Sequence, residues 1–101
     1  MRPIARAVER ALHALGLDRD VARAEAVRAW HDAATSVFGS DGGLTKAIRA
    51  DGDTLVVTVP SAQWAGELRL RERELIAAVT ERAPACGIIR VRPIPASTPT
   101  R

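Results

Sequence analysis

Arginine dominates the residues of this chain that can bind a ligand through charge. Of the 15 Lys and Arg side chains in 101 residues, all but Lys46 are Arg. A guanidinium donates two parallel hydrogen bonds to a phosphate and also stacks on bases, so this composition favours a nucleic-acid partner. Three arginines recur every four residues near the N-terminus, and two more alternate along a run near the C-terminus. The candidate nucleic-acid-binding residues are Arg2, Arg6, Arg10, Lys46, Arg49, Arg90 and Arg92.

Two observations leave a plainer explanation of these arginines open. The net charge is only +3, because acidic residues such as Glu9 and Glu25 stand near the arginines, as on an ordinary solvated helix face. A GC-rich genome would also raise the arginine content through codon usage alone. The charge is nevertheless uneven, since residues 83–101 contain arginine and no acidic residue, whereas residues 31–60 contain four Asp.

Residues with catalytic or metal-binding chemistry form no recognisable site in the sequence. His13 and His31 stand alone, without the spacing of a ligand set or of a catalytic triad. Asp51 and Asp53 flank a glycine, where a turn needs Asp for its own geometry. The sequence has no Walker loop, dinucleotide fingerprint or nucleophile elbow. It therefore predicts a protein without enzymatic activity, cofactor, metal or small-molecule substrate.

One short segment matches a nucleic-acid-binding motif by its letters. Gly39-Ser40-Asp41-Gly42 is a G-x-x-G, the pattern with which KH domains clamp a nucleic-acid backbone. It lies between a helix and a strand instead of between two helices, and Asp41 would repel a phosphate. The segment is therefore interpreted as a loop.

Length and composition describe one globular domain. With 47% hydrophobic and 27% charged residues, the chain resembles ordinary globular proteins, and its length is common for a single domain. We expect the domain to span residues 1–95, followed by a short disordered tail, 96–101. The single cysteine, Cys86, and the lack of an apolar segment long enough for a signal peptide or a membrane span predict a cytoplasmic protein without a membrane partner.

The first half of the chain predicts two helices and a hairpin. Apolar residues at helical spacing predict one helix before Gly16 and a second that ends near Gly39. The buried face of the second helix is predicted to include Val21, Val27, Trp30 and Ala34. An Asp-Gly pair at 51–52 separates two short runs, 44–50 and 53–59, which predicts a β-hairpin.

The second half predicts a helical region and a third strand. Ser61 can cap the helical region, which we expect to kink or break within 69–74. The run 88–94 alternates, with Ile89 and Val91 on the inner side, and Pro93 and Pro95 restrict the strand to an edge or to a short length. The element order α-α-β-β-α(α)-β predicts an α+β fold with helices packed on one face of a three-stranded sheet.

A longer segment carries a family resemblance. Residues 55–68, LVVTVPSAQWAGEL, resemble the central signature of the DciA family, in which a strand ending in a short polar cap leads into a helix that begins Ser-x-x-Trp-Ala-x-Glu-Leu. A Leu-Gly-Leu-Asp turn at 15–18 and an Ile-Arg-Val-Arg strand at 89–92 stand in the expected order, so the resemblance covers about residues 3–95. It implies a KH-like α+β fold, ATP-independent loading of the bacterial replicative helicase DnaB, and some affinity for DNA.

The same resemblance singles out residues that are either partner-binding or part of the core. A Trp at helical spacing packs into a core more often than it contacts a partner. Many members of the family carry a long flexible extension, whereas only 96–101 follow the last predicted strand here, which favours a partial or DNA-binding version of the loader. The residues concerned are Trp64, Glu67, Leu68 and Trp30.

The leading hypothesis is a non-catalytic DNA-replication accessory protein that binds a DnaB-type helicase and single-stranded or forked DNA. Because stacking aromatics are scarce, we expect the DNA contact to be with the backbone and to weaken with salt. The alternative is a KH-type RNA-binding module acting on ribosomal or structured RNA, which a preference for RNA over DNA would identify. A third possibility is a protein-interaction domain without nucleic-acid affinity.

Overall fold

The computed structural model of the protein describes residues 17–96. The predicted first helix, with Arg2, Arg6 and Arg10, lies outside the described residues, as does the segment 97–101. The elements in chain order are α1 (Leu17–Phe38), a 3-10 helix (Gly39–Leu44), β1 (Lys46–Asp51), β2 (Thr54–Val59), α2 (Ala62–Leu70), α3 (Glu72–Arg82) and β3 (Arg90–Pro95).

The three strands form one mixed sheet with β2 in the centre. The spatial order is β1-β2-β3, and β1 pairs with β2 antiparallel while β2 pairs with β3 parallel. A parallel pair needs a crossover connection, which α2 and α3 supply. The buried cluster joins α1, α2 and α3 to one face of this sheet, so the predicted α+β architecture is confirmed.

The hairpin between β1 and β2 is confirmed, but its turn lies one residue later than predicted. Asp51 pairs with Thr54, and Gly52 and Asp53 form the two-residue turn. Gly52 has φ +61°, a left-handed conformation that glycine adopts without steric cost. The first run begins later too, because Leu44 belongs to the 3-10 helix and is 60% exposed.

Central strand β2 supplies the apolar floor of the core. Leu55, Val57 and Val59 are buried in the main cluster, as their alternation predicts. Val56 points to the opposite face and is also fully buried, although it lies outside that cluster.

Helix α1 ends at Phe38 as expected, and its predicted buried face is confirmed at Val27, Trp30 and Ala34 but not at Val21. Val21 is 49% exposed, so its predicted place in the core is wrong. Three alanines that the prediction did not include, Ala22, Ala26 and Ala33, are buried beside Trp30 and Ala34. Because alanine is both small and weakly apolar, a stripe of alanines gives a weak periodicity signal yet lets the helix approach its neighbours closely.

The predicted break in the second helical region is confirmed at Arg71, between α2 and α3. The side chain of Ser61 accepts a hydrogen bond from Trp64 N at 3.2 Å, which caps α2 as expected. Leu68, Leu75 and Val79 then anchor the two short helices in the core.

Strand β3 is an edge strand, as its prolines predict, but it begins two residues later than expected. Ile89 is 59% exposed, so its predicted position on the inner side is wrong, and Ile88 is buried in its place. The amides of Ile89 and Arg90 both donate to the carbonyl of Asp53, at 2.8 and 3.2 Å. This double contact interrupts the alternation just before the strand.

Candidate nucleic-acid interface

The sheet face opposite the core brings the described candidate cations together. On β2, Thr54, Val56 and Thr58 point to this face because their neighbours Leu55, Val57 and Val59 point to the core. Cross-strand partners share a face, and the register therefore adds Lys46, Arg49 and Asp51 from β1 and Arg90, Arg92 and Ile94 from β3. We call these nine residues the outer face. It carries four cationic side chains against one carboxylate.

A β-bulge decides that Arg49 belongs to the outer face. The pairing register shifts between Ala47 and Arg49, so Ile48 is the extra residue. Regular alternation from the buried Ala47 would have pointed Arg49 into the core. An inserted residue exchanges the two faces for the rest of the strand. The bulge therefore places Arg49 beside Val56 and turns the half-buried Ala50 toward the core.

Arg49 and Arg92 lie on either side of Val56 and converge on one carboxylate. Arg49 Nε lies 3.1 Å from Oδ1 and 3.0 Å from Oδ2 of Asp51. Arg92 reaches Oδ2 of the same carboxylate with a terminal nitrogen at 3.7 Å. Among the described residues, Lys46 and Arg90 are exposed and make no ion pair.

A groove extends the outer face over the edge of β3. It has a volume of about 780 Å³ and is lined by Arg69 of α2 together with Glu72, Arg90 and Arg92. Within the mixed-charge run 69–74, Arg71 pairs with Glu74 at 3.6 Å, whereas Arg69 turns toward the groove. Sequence reasoning missed Arg69 because only the packing of α2 beside β3 shows it.

The same edge of β3 is closed to a further strand. Val91 N donates to Oε2 of Glu72 at 2.8 Å, while Arg90 N and Ala96 N donate toward the β2 side. The outward amide positions are therefore 91, 93 and 95, of which two are prolines without an N–H. With its one outward donor satisfied, the edge offers no amide for strand addition. The described edge of β3 therefore offers side chains, and no free backbone amide, to any ligand.

The residues predicted to be partner-binding or core separate into two groups. Trp30 and Leu68 are each 1% exposed, and Trp30 Nε1 donates to Oγ1 of Thr45 at 2.9 Å. Trp64 is partly buried and packs edge-on against Phe38, with ring centroids 5.1 Å apart. Glu67 is half-buried on the same helix.

The G-x-x-G letters belong to the 3-10 helix and serve packing. Gly42 is buried, and a Cβ built on it would lie 2.5 Å from the carbonyl carbon of Ala34. Its own carbonyl accepts from the amide and the hydroxyl of Thr45, at 3.1 and 2.7 Å. The Gly42 backbone is therefore held against α1, at the point where Trp30 is anchored through Thr45.

The outer face has the chemistry to bind a polyanion along its backbone. Its four cations are donors for phosphate oxygens, whereas the hydroxyls of Thr54 and Thr58 already donate to Asp53 and to the carbonyl of Lys46. No aromatic side chain stands on this face. Within residues 17–96, no group of three or more His, Cys, Asp or Glu side chains is arranged to hold a metal ion. None of the described helices combines the length and the apolar character that crossing a membrane requires.

Comparison with known proteins identifies the family. A search of the curated proteins finds no match. The family model described as "Dna[CI] antecedent, DciA" matches residues 3–92, which include every element from α1 to α3 and the start of β3. The match covers most of the chain, and the folded order agrees with the α+β architecture expected of the family. The chain therefore belongs to the DciA family, whose role in replication is the loading of the replicative helicase.

Proposed function

We propose that this protein is a non-catalytic loader of a DnaB-type helicase and that its outer face holds the backbone of single-stranded DNA. The observation that carries the proposal is the gathering of Lys46, Arg49, Arg90 and Arg92 on one face of the sheet. These residues come from two strands that lie far apart in the sequence. Their convergence supports a ligand with several regularly spaced negative charges.

The absence of stacking platforms on the outer face supports recognition of the backbone. Single-strand binders that grip bases use exposed aromatic rings. In the described part of the chain, Trp30 is buried, while Trp64 and Phe38 pack against each other. The proposed contact is therefore independent of base sequence and sensitive to salt.

Helicase binding is assigned to α2 in this proposal. Trp30 and Leu68 are buried and serve the core. Trp64 and Glu67 keep part of their surface, and Leu70, at the end of the same helix, is 81% exposed. The outer face would then remain available to DNA while α2 contacts the helicase.

A salt series on a charge-neutralised variant tests the DNA contact. Each phosphate contact contributes roughly 0.7 to the slope of log affinity against log salt for a single strand, so four cations contribute about 2.8 on four separate phosphates and about 2.1 on three. Raising the salt fourfold should then weaken wild-type binding to oligothymidylate by about 20- to 50-fold through these contacts alone. The outer-face variant K46Q/R49Q/R90Q/R92Q should lose most of that dependence and still capture the helicase.

The matched control removes the same charge elsewhere, in R19Q/R28Q/R73Q/R82Q, whose four arginines are exposed on α1 and α3. The control should keep a slope near the wild-type one. Equal losses in both variants would refute the outer face as the DNA site and leave only an effect of net charge. A preference for RNA of equal length would move the function to the RNA-binding alternative, and failure to capture the helicase would refute the loading role.

A further inference from the structure

We propose that Asp51 is an internal occupant of the phosphate site formed by Arg49 and Arg92, and that a DNA phosphodiester displaces its carboxylate. This inference rests on the proposed DNA-binding role of the outer face. It adds a residue that opposes binding, and it identifies which two of the four cations hold one phosphate together.

The geometry is that of a small anion site. Arg49 and Arg92 stand on β1 and β3, the two neighbours of β2, so their backbones are about two strand spacings or roughly 10 Å apart. Both side chains nevertheless reach the same carboxylate, Arg49 through Nε to both oxygens and Arg92 to Oδ2. Two guanidinium groups that converge in this way match the two oxygens of a carboxylate or the non-bridging oxygens of a phosphodiester.

The fold does not depend on this ion-pair network. The side chains of Arg49 and Asp51 are each 51% exposed and that of Arg92 is 56% exposed. Ion pairs at such exposure add little to folding stability. The neighbouring turn obtains its left-handed residue from Gly52. Since the network is both accessible and nearly neutral for stability, its arginines can exchange the carboxylate for an external anion.

The position of Asp51 explains why the exchange would be competitive. Asp51 pairs with Thr54, and the next outer-face pairs along β2 and β3 are Thr54 with Arg90 and Val56 with Arg92. A phosphate that bonded to Arg49 and Arg92 would therefore occupy the space of the Asp51 carboxylate or lie beside its charge. Asp51 thus lowers the affinity of the face for DNA and eases release of the strand.

The test replaces Asp51 with its uncharged isostere, Asp51→Asn. Asn is also accepted in turns, so the hairpin should be retained. Each exposed ion pair changes an equilibrium constant by at most about fivefold, and two are released here, so we expect roughly five- to tenfold tighter binding to labelled oligothymidylate at low salt. Unchanged or weaker binding by a folded D51N variant would overturn the proposal, because Asp51 would then be neutral or would position the arginines for the ligand.

Asp53→Asn is the matched control, since it removes one negative charge from the same turn. Asp53 accepts a hydrogen bond from Oγ1 of Thr54 at 3.1 Å and contacts neither arginine through an ion pair in the described structure. Its affinity should stay within about twofold of the wild type, because only long-range charge is altered. An equal gain in D53N would overturn the proposal in favour of a net-charge effect.

Repeating the Asp51→Asn substitution in a protein that lacks both arginines distinguishes this inference from the proposed function. In an R49Q/R92Q protein the site is gone, so adding D51N should change the affinity by less than about twofold. A tenfold gain that persists there would refute the displacement. Loss of DNA binding in the outer-face variant, combined with no effect of D51N in the wild-type background, would refute this inference while retaining the proposed function. Unchanged binding in the outer-face variant would refute the proposed function itself.

Discussion

Gly42→Ala tests whether the G-x-x-G segment packs against α1 or holds a nucleic-acid backbone. The added Cβ would meet the backbone of α1, 2.5 Å from the carbonyl carbon of Ala34 and 2.8 Å from the nitrogen of Thr35. These are backbone atoms of a helix whose Ala33 and Ala34 are fully buried, so they cannot move aside as the end of a side chain can. The 3-10 helix must shift away from α1 instead.

The loss in free energy of unfolding depends on the contacts that this shift of the 3-10 helix disturbs. Overpacking of a close contact typically costs about 1–3 kcal/mol, and the upper end applies here because the Gly42 carbonyl also holds Thr45, the hydrogen-bond partner of Trp30. A loss of about 3 kcal/mol is a large share of the 5–15 kcal/mol that stabilises a typical domain. At about 4–8 °C per kcal/mol for a domain of this size, the melting temperature should fall by roughly 12–24 °C.

Thermal unfolding followed by circular dichroism measures this effect, with two glycine controls. A Cβ on Gly43 would meet only the side chain of His31, 3.3 Å away, and a Cβ on Gly66 would meet nothing within 4 Å. Gly43→Ala should be nearly neutral, and Gly66→Ala should stabilise α2 by about 0.5–1 kcal/mol. A G42A protein that melts within about 3 °C of the wild type would refute the packing argument. Normal melting with lost DNA binding would instead assign Gly42 to a backbone clamp.

Two further stability predictions follow from single hydrogen bonds. Trp30→Phe removes the buried donor to Thr45 and leaves a small void, so urea denaturation should show a loss of about 1–3 kcal/mol; a change below about 0.5 kcal/mol would show that the bond contributes nothing net. Glu72→Ala removes the acceptor of the Val91 amide and should cost about 1–2 kcal/mol, with faster hydrogen exchange at Val91. Glu72→Gln, whose amide oxygen still accepts, should retain most of that stability, and equal losses in the two variants would contradict the assignment.

The β3 edge of the sheet has no free backbone amide. Pro93 and Pro95 cannot donate, and Glu72 occupies the remaining outward amide of β3. Edge strands with free donors recruit other strands. The protein therefore presents the side chains of the outer face beside an edge that has no free amide for strand addition.

Local sequence patterns were sufficient to predict most of the elements. Helix α1 ends before Gly39, Ser61 caps α2, the helical region breaks at Arg71, and an Asp-Gly pair marks the hairpin. Each of these depends on interactions within a few residues, such as a side chain bonding a nearby amide or a glycine adopting a positive φ. The alternation of Leu55, Val57 and Val59 likewise predicted which side of β2 is buried.

Only the tertiary structure decided which side chains form the outer face. The sequence alone identified Arg49, Arg90 and Arg92 as candidates, because residue type and local spacing are visible along the chain. Their meeting depends on the bulge at Ile48, which exchanges the faces of β1, and on the parallel pairing that places Arg92 beside Val56. The parallel pairing joins segments that are distant in sequence, and the bulge is a shift of register within the hairpin. A shift of one position would turn the same arginines toward the core.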